Sequence, residues 1–169
     1  MRTPADDLAI REATEADHSR LAALIRGWWD ERPPRLDRLW FRYFPGTTLV
    51  AETADGRLRA LAIAFVGGRD AQRGVLHLIA VAPDLRRRGV GRMMVSAVEE
   101  RLVAAGATSV EAVFWPGNRI AVRFLEALGY AALPETLGTP RYGIPAIPEF
   151  DSDGEDRAIF ARPLSRSGG

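Results

Sequence analysis

Residues 75–103, VLHLIAVAP followed by DLRRRGVGR and then MMVSAVEERLV, join an apolar run to an amphipathic stretch through a basic turn. The first piece carries β-branched residues and is closed by Pro83, which predicts a buried strand. The last piece sets Met94, Val95, Val98 and Leu102 at helical spacing, with Glu99, Glu100 and Arg101 turned elsewhere, which predicts a helix. Between them lies Arg86-x-x-Gly89-x-Gly91. Gly89 and Gly91 have no Cβ, so the backbone there is free to turn tightly and to let a ligand approach. Amide N–H groups at a helix start, aided by the positive end of the helix dipole, make a seat for a pyrophosphate. A plain strand–turn–helix connection with a solvated patch at Arg86-Arg87-Arg88 fits the same residues.

Two familiar phosphate motifs are absent. The second spacing of G-x-G-x-x-G fails, and G-x-x-x-x-G-K-[ST] needs a lysine, which the chain lacks. The segment V-x-P-x-x-R-x-x-G-x-G, here Val81, Pro83, Arg86, Gly89 and Gly91, resembles motif A of the GNAT superfamily of N-acetyltransferases. A second segment, Asn118-x-x-Ala121 leading to Leu128-Gly129-Tyr130, resembles that family's N-x-x-A…L-G-F stretch. The resemblance covers nearly the whole chain and implies a mixed α/β fold, a central sheet of about seven strands flanked by about four helices.

Length and composition set the bounds. A chain of 169 residues fits one domain with one core, expected over residues 1–164 with a frayed tail at 165–169. A net charge of +1 gives no global pull toward nucleic acid or membrane, and the Arg triplet lacks the interleaved aromatics of a nucleic-acid surface. With no cysteine, disulfides, thiolate metal sites and a cysteine nucleophile are excluded. With only two histidines, no metal is expected. The start MRTPADDL lacks a signal-peptide pattern and no long apolar run occurs, so a cytoplasmic protein is expected.

Taken in order, residues 8–11 read as a strand. Thr14-x-x-Asp17 reads as a helix cap before the stripe Leu21, Leu24, Ile25 and Trp28, with His18 as a first-turn packing or capping residue. Pro33-Pro34 breaks that helix, and Leu36, Leu39, Trp40 and Tyr43 begin another. Residues 48–52 and 58–66 flank Asp55-Gly56, a strong hairpin signal. Gly106 reads as a helix stop, 110–115 as a buried strand, and Asn118 as the start of a helix carrying Ala121, Phe124, Leu125 and Leu128, ended by Gly129. Residues 131–150 read as a long ordered loop or broken strand, and 157–162 as a last strand.

The resemblance implies that acetyl-CoA is the co-substrate. Its pyrophosphate would lie on the backbone of Arg86, Arg87, Arg88, Gly89, Val90, Gly91 and Arg92. Its pantetheine arm would run along Ile79, Ala80 and Val81, with the Val81 N–H facing the thioester oxygen. Asn118 would contact the cofactor or order its turn, and it also suits a plain helix cap. The expected partner is a small-molecule primary amine, with a homodimer left open. A protein N-terminus or lysine, or a non-catalytic acyl-CoA-binding role, are the alternatives.

His77 shares a strand face with Ile79 and Val81 by the period of two, and an ordinary imidazole titrates near neutrality, suiting a general base. Serotonin N-acetyltransferases carry a His at the same offset. A neutral His satisfied by a backbone carbonyl is the other reading. Glu111 is the rival base, or else a salt-bridged strand Glu. Many family members place a Tyr where Leu125 stands, so the group that protonates the leaving thiolate is unassigned, with Tyr142 in the late loop as a substitute. The acidic stretch EFDSDGED at 149–156 suits a cationic amine or a solvated turn, and its spacing is not that of a calcium loop.

Overall fold

The computed structural model describes residues 5, 7–29, 33–133 and 140–165. Among them are seven strands and four α-helices, the mixed α/β class expected. The chain divides into two compact units, Met1–Phe65 with Leu76–Ala105, and Val66–Val75 with Gly106–Gly169.

In the first unit β1 (Ala9–Glu12), β2 (Thr48–Glu52), β3 (Leu58–Val66, all but its last residue) and β4 (Arg73–Val81, from Leu76 on) lie in that order. β1 and β2 pair antiparallel with Ala9 opposite Glu52, and β2 pairs antiparallel with β3, Thr48 opposite Ile63. The β2–β3 turn closes as the Asp55-Gly56 signal predicts. Gly56 sits at φ +76, its N–H donates to the Thr53 carbonyl at 2.8 Å, and Thr53 N–H donates to the Arg57 carbonyl at 3.0 Å. A left-handed residue is what such a turn requires.

Helix α1 (Asp17–Trp28) and short α2 (Arg38–Tyr43) bury Leu21, Ile25, Trp28 and Phe41 against Val50, Leu61, Ile63 and Leu78. Each such large side chain, fully buried, stabilises the fold by about 1.5–3 kcal/mol. Leu24, expected on the stripe, is exposed, so the buried line is Leu21, Ile25, Trp28. In α2 the expected face is displaced: Phe41 is buried, while Leu39 and Tyr43 are exposed. Six residues span under two turns, too few for periodicity to fix the phase. Helix α3 (Val90–Ala104) buries Val90, Met94, Val95, Val98 and Leu102 as expected, and also Glu99, which the sequence assigned to the open side. Gly106 at φ +99 follows its end.

The start of α1 is held by charge. The Asp17 carboxylate accepts from Thr14 N–H at 2.9 Å and Thr14 Oγ1 at 3.0 Å, the reach-back half of a capping box. It also accepts from both terminal nitrogens of Arg11, at 2.8 and 3.0 Å, and Arg11 reaches Glu52 at 2.8 Å. These bonds, led by that from Arg11, pull Asp17 down to about 2. A depressed carboxylate contributes stability that is complete above its unfolded value and fades as pH falls toward its folded one. About 2 kcal/mol should therefore be lost between about pH 5 and pH 2. Unfolding free energies measured across that range should show a slope that Asp17→Asn flattens, and an equal slope in the variant would refute this.

In the second unit β5 (Ser109–Phe114), β7 (Ala158–Pro163) and β6 (Ala131–Ala132) lie in the order β5-β7-β6, all antiparallel. Helix α4 (Arg119–Ala127) buries Val122 and Leu125, so Val122 takes the place expected of Ala121. Gly129 follows at φ +84. The late segment is a broken strand with isolated pairings, Arg141 with Ile144 and Ile147 with Arg157. Pro134 and the tail at 166–169 lie outside the described residues. Among the described residues no helix is long and apolar enough to cross a membrane.

Candidate active site

β4 alternates. Leu76, Leu78 and Ala80 are buried, while Val75, Ile79 and Val81 are half-buried and His77 is exposed. The expectation of a wholly buried strand is corrected to a strand with one covered face. An apolar run reads alike whether one face or two are covered, because Ile and Val serve both. His77, Ile79 and Val81 do share a face.

Pro83–Leu85 forms a 3-10 turn after β4, and Leu85 packs on the core of this unit. Arg87 then takes φ +61 and Gly89 φ +84, two left-handed residues that swing the chain into α3. The first is a non-glycine residue in sparsely populated backbone space, a strain of about 1–3 kcal/mol that clusters at ligand sites. Gly89 is the N-cap of α3, and the first helical bond runs from Met93 N–H to the Gly89 carbonyl at 3.0 Å. Helix geometry therefore directs the amides of the first turn out of the helix end. Arg87, Arg88, Gly89 and Arg92 are exposed around it. Val90 and Ala80 bury their side chains, so only their backbone is offered. Amides at a positive helix end with arginines around them are the groups that can hold an anion such as a diphosphate.

Arg86 behaves differently. Its Nε donates to the Val81 carbonyl at 3.2 Å, and a terminal nitrogen donates to the Trp28 carbonyl. The motif spacing set Arg86 apart from Arg87 and Arg88, but it gave no sign that the side chain turns inward.

His77 stands beside aromatic rings. Its ring centroid lies 4.3 Å from that of Trp40 and 6.4 Å from Phe65. Trp40 stacks on Phe65 at 5.6 Å and touches Phe44 at 5.5 Å. Sequence reasoning missed this group, because its members come from α2, the residue after it and two strands. Trp28, on the helix stripe, belongs to the core. His18 fulfils the packing reading, with Nε2 at 2.8 Å from the Leu36 carbonyl and its ring edge-on to Phe41.

The remaining candidates belong to the second unit. Glu111, with its side chain 16% exposed, pairs with Arg73 at 3.4 Å. Asn118 caps α4, its Oδ1 accepting from Ala121 N–H at 3.0 Å, a contact worth about 1 kcal/mol. Leu125 is 3% exposed and belongs to the packing. Tyr142 is exposed at φ +54, its ring 5.5 Å edge-on from Trp115 and its carbonyl accepting from Arg119. The acidic stretch is largely paired within its own unit: Arg157 binds Asp151 at 2.6 Å and Glu155 at 3.1 Å, and Arg141 binds Asp156 at 2.8 Å. Among the described residues no group of three or more His, Cys, Asp or Glu gathers as a metal site.

The family model described as Acetyltransferase (GNAT) family matches residues 9–130. An L-2,4-diaminobutyric acid acetyltransferase of Nocardia farcinica is 28% identical over 111 residues, which are 66% of this chain and 57% of that protein's length. Among solved structures, Ard1 from Thermoplasma volcanium superposes with a TM-score of 0.76 at 19% identity, covering 95% of this chain and 99% of that one. The structure of yncA from Salmonella typhimurium with its cofactor acetyl-CoA has a TM-score of 0.67 at 16% identity, covering 96% and 97%. At these identities the two structures speak for the fold.

Proposed function

The chain belongs to the GNAT family of acetyltransferases, and from that premise we propose that it transfers an acetyl group from acetyl-CoA to a primary amine of a small molecule, by direct attack with both substrates bound. The observation that carries this reading is the left-handed Arg87–Gly89 turn opening α3 directly after β4, with exposed arginines around it. The family match runs through parts of both compact units, which supports treating residues 1–164 as one acetyltransferase domain.

Acetyl-CoA supplies an activated thioester. The amides of Arg87, Arg88, Gly89, Val90, Gly91 and Arg92 hold its diphosphate, and backbone groups of Ile79 to Val81 hold the pantetheine arm. The Val81 N–H serves as oxyanion donor, since a fixed dipole aimed at developing charge needs no reorganisation during reaction. Its carbonyl is already engaged by Arg86. His77 takes the proton from the substrate ammonium, directly or through water, its exposed ring steadied by Trp40. Glu111 is less suited to that task because Arg73 occupies it. Thiols are far more acidic than alcohols (cysteine titrates at about 8.5), so the CoA thiolate can leave without an acid at the position of Leu125. Asn118 acts by ordering the start of α4.

A small amine is favoured over a protein acceptor by the Nocardia relative, whose name gives a diamino acid as substrate. The buried Leu125 favours a second reading, a domain that binds acyl-CoA without transferring it.

Release of free CoA from acetyl-CoA, followed with a thiol reagent, separates them. The amines offered are 2,4-diaminobutyrate and other amino acids, polyamines, aminoglycosides, arylalkylamines and short peptides. Turnover confined to one small-molecule class is expected. Turnover with peptides alone, or none while acetyl-CoA still raises the melting temperature, would overturn the small-amine reading.

A further inference from the structure

Of the three consecutive arginines, Arg86 alone turns its guanidinium inward. Its guanidinium donates to two backbone carbonyls at the ends of two elements: Val81, the last residue of β4, and Trp28, the last residue of α1. The final carbonyls of a helix have no N–H partner within it, and a cation there also meets the negative end of the dipole. The guanidinium is planar, always charged, and carries its donors in a fixed fork, so two carbonyls bound by one fork are held at a set separation.

The surroundings hold Arg86 in that pose. Its own N–H closes the 3-10 turn onto the Pro83 carbonyl at 3.3 Å, and the preceding Leu85 is packed on the core. On the other side of the turn Asp84 pairs with Arg59, and Ala82 N–H donates to the Arg59 carbonyl at 2.9 Å. The turn is thus pinned at both ends, and the Arg86 side chain folds back beneath it.

We infer that Arg86 is a positioning residue and not a ligand of the diphosphate: it locks the end of α1 to the end of β4. The inference rests on the function proposed above, in which Val81 receives the thioester. Trp28 of α1 and Phe41 of α2 share one core, Trp40 packs against it, and Trp40 touches His77. One guanidinium therefore ties the strand proposed to bear the oxyanion donor to the helix whose last residue shares a core with the ring that steadies the base. Reacting groups must meet within a few tenths of an ångström, and a displacement of about 1 Å slows reaction by roughly a hundredfold. Arg87 and Arg88, left outside, are the arginines available to an anion.

The test uses Arg86→Gln and Arg86→Lys in the full chain. Acetyl-CoA affinity is measured by calorimetry at low and moderate salt, and kcat and KM with the best amine of the panel. Expected is an acetyl-CoA Kd within about threefold of the parent with an unchanged salt slope, and a kcat lowered roughly 10- to 100-fold in Arg86→Gln. Arg86→Lys, which keeps the charge and reaches one carbonyl, should recover part of the loss. A Kd raised tenfold or more with kcat retained would make Arg86 an anion ligand and overturn the inference, as would no change in either. Should the parent turn over no amine, the transfer reading itself fails. Amide hydrogen exchange then decides about Arg86: faster exchange in the last turn of α1 in Arg86→Gln is expected, and unchanged exchange overturns the clamp.

Discussion

Replacing Gly89 with aspartate should raise the Kd for acetyl-CoA at least about a hundredfold, a loss of about 2.7 kcal/mol, while the protein stays folded. Two effects act, and they have opposite signs for stability and for binding. Gly89 sits at φ +84 with open space where a Cβ would stand, so a side chain there meets strain and no clash. Aspartate tolerates the left-handed region better than most residues and is a favoured N-cap, so α3 survives. The same carboxylate lies at the mouth of the amide cradle. At about 5 Å from a diphosphate oxygen, with an effective dielectric constant of about 20, like charges repel by about 3 kcal/mol. Gly89→Ala separates the terms, since it carries the backbone strain alone and should weaken binding far less. Calorimetry with circular dichroism as the folding control reads all three proteins. Equal affinity in Gly89→Asp would remove the diphosphate from this turn.

The second large effect belongs to His77. His77→Gln should lower kcat by roughly 100- to 10,000-fold, the range that a positioned base contributes. Its loss should also erase the ascending limb of the pH–rate profile, because a base works only once deprotonated. Acetyl-CoA affinity should change little, as the ring lies on the open face of β4 beside Trp40 and upstream of the cradle. Glu111→Gln is the control, with a much smaller effect expected on both rate and profile. A limb that persists in His77→Gln and vanishes in Glu111→Gln would transfer the role to the carboxylate that Arg73 now holds.

Local rules carried the sequence reading where the determinants are local. The strands at 48–52 and 58–66, the Asp55-Gly56 turn, the Asn118 cap and the glycine stops at 106 and 129 each depend on a few neighbouring residues. So does the turn at Arg86–Gly91, whose glycine is left-handed as its chemistry demands. What failed depends on partners far along the chain. Whether Phe41 or Leu39 faces inward is decided by where α2 lands on Val50 and Leu61, and Glu99 is buried though its neighbours on the helix gave no sign of it. His77 was legible as a strand histidine, yet its contact with Trp40, 37 positions earlier, was not. Arg86 stood out as a motif position, yet its inward turn was not legible, because carbonyls as partners leave no trace in side-chain pattern.

The inward-turned guanidinium has a chemical consequence as well as a mechanical one. Arg86 sits against Val81, where the thioester is proposed to lie, and any nucleophilic amine there would compete with the substrate for the acetyl group. A guanidinium remains protonated at every pH the protein meets, so it braces that corner without being a target for acylation. The 169 residues contain no lysine at all. Under the proposed placement of the thioester, the residue that braces it offers no amine to acylate.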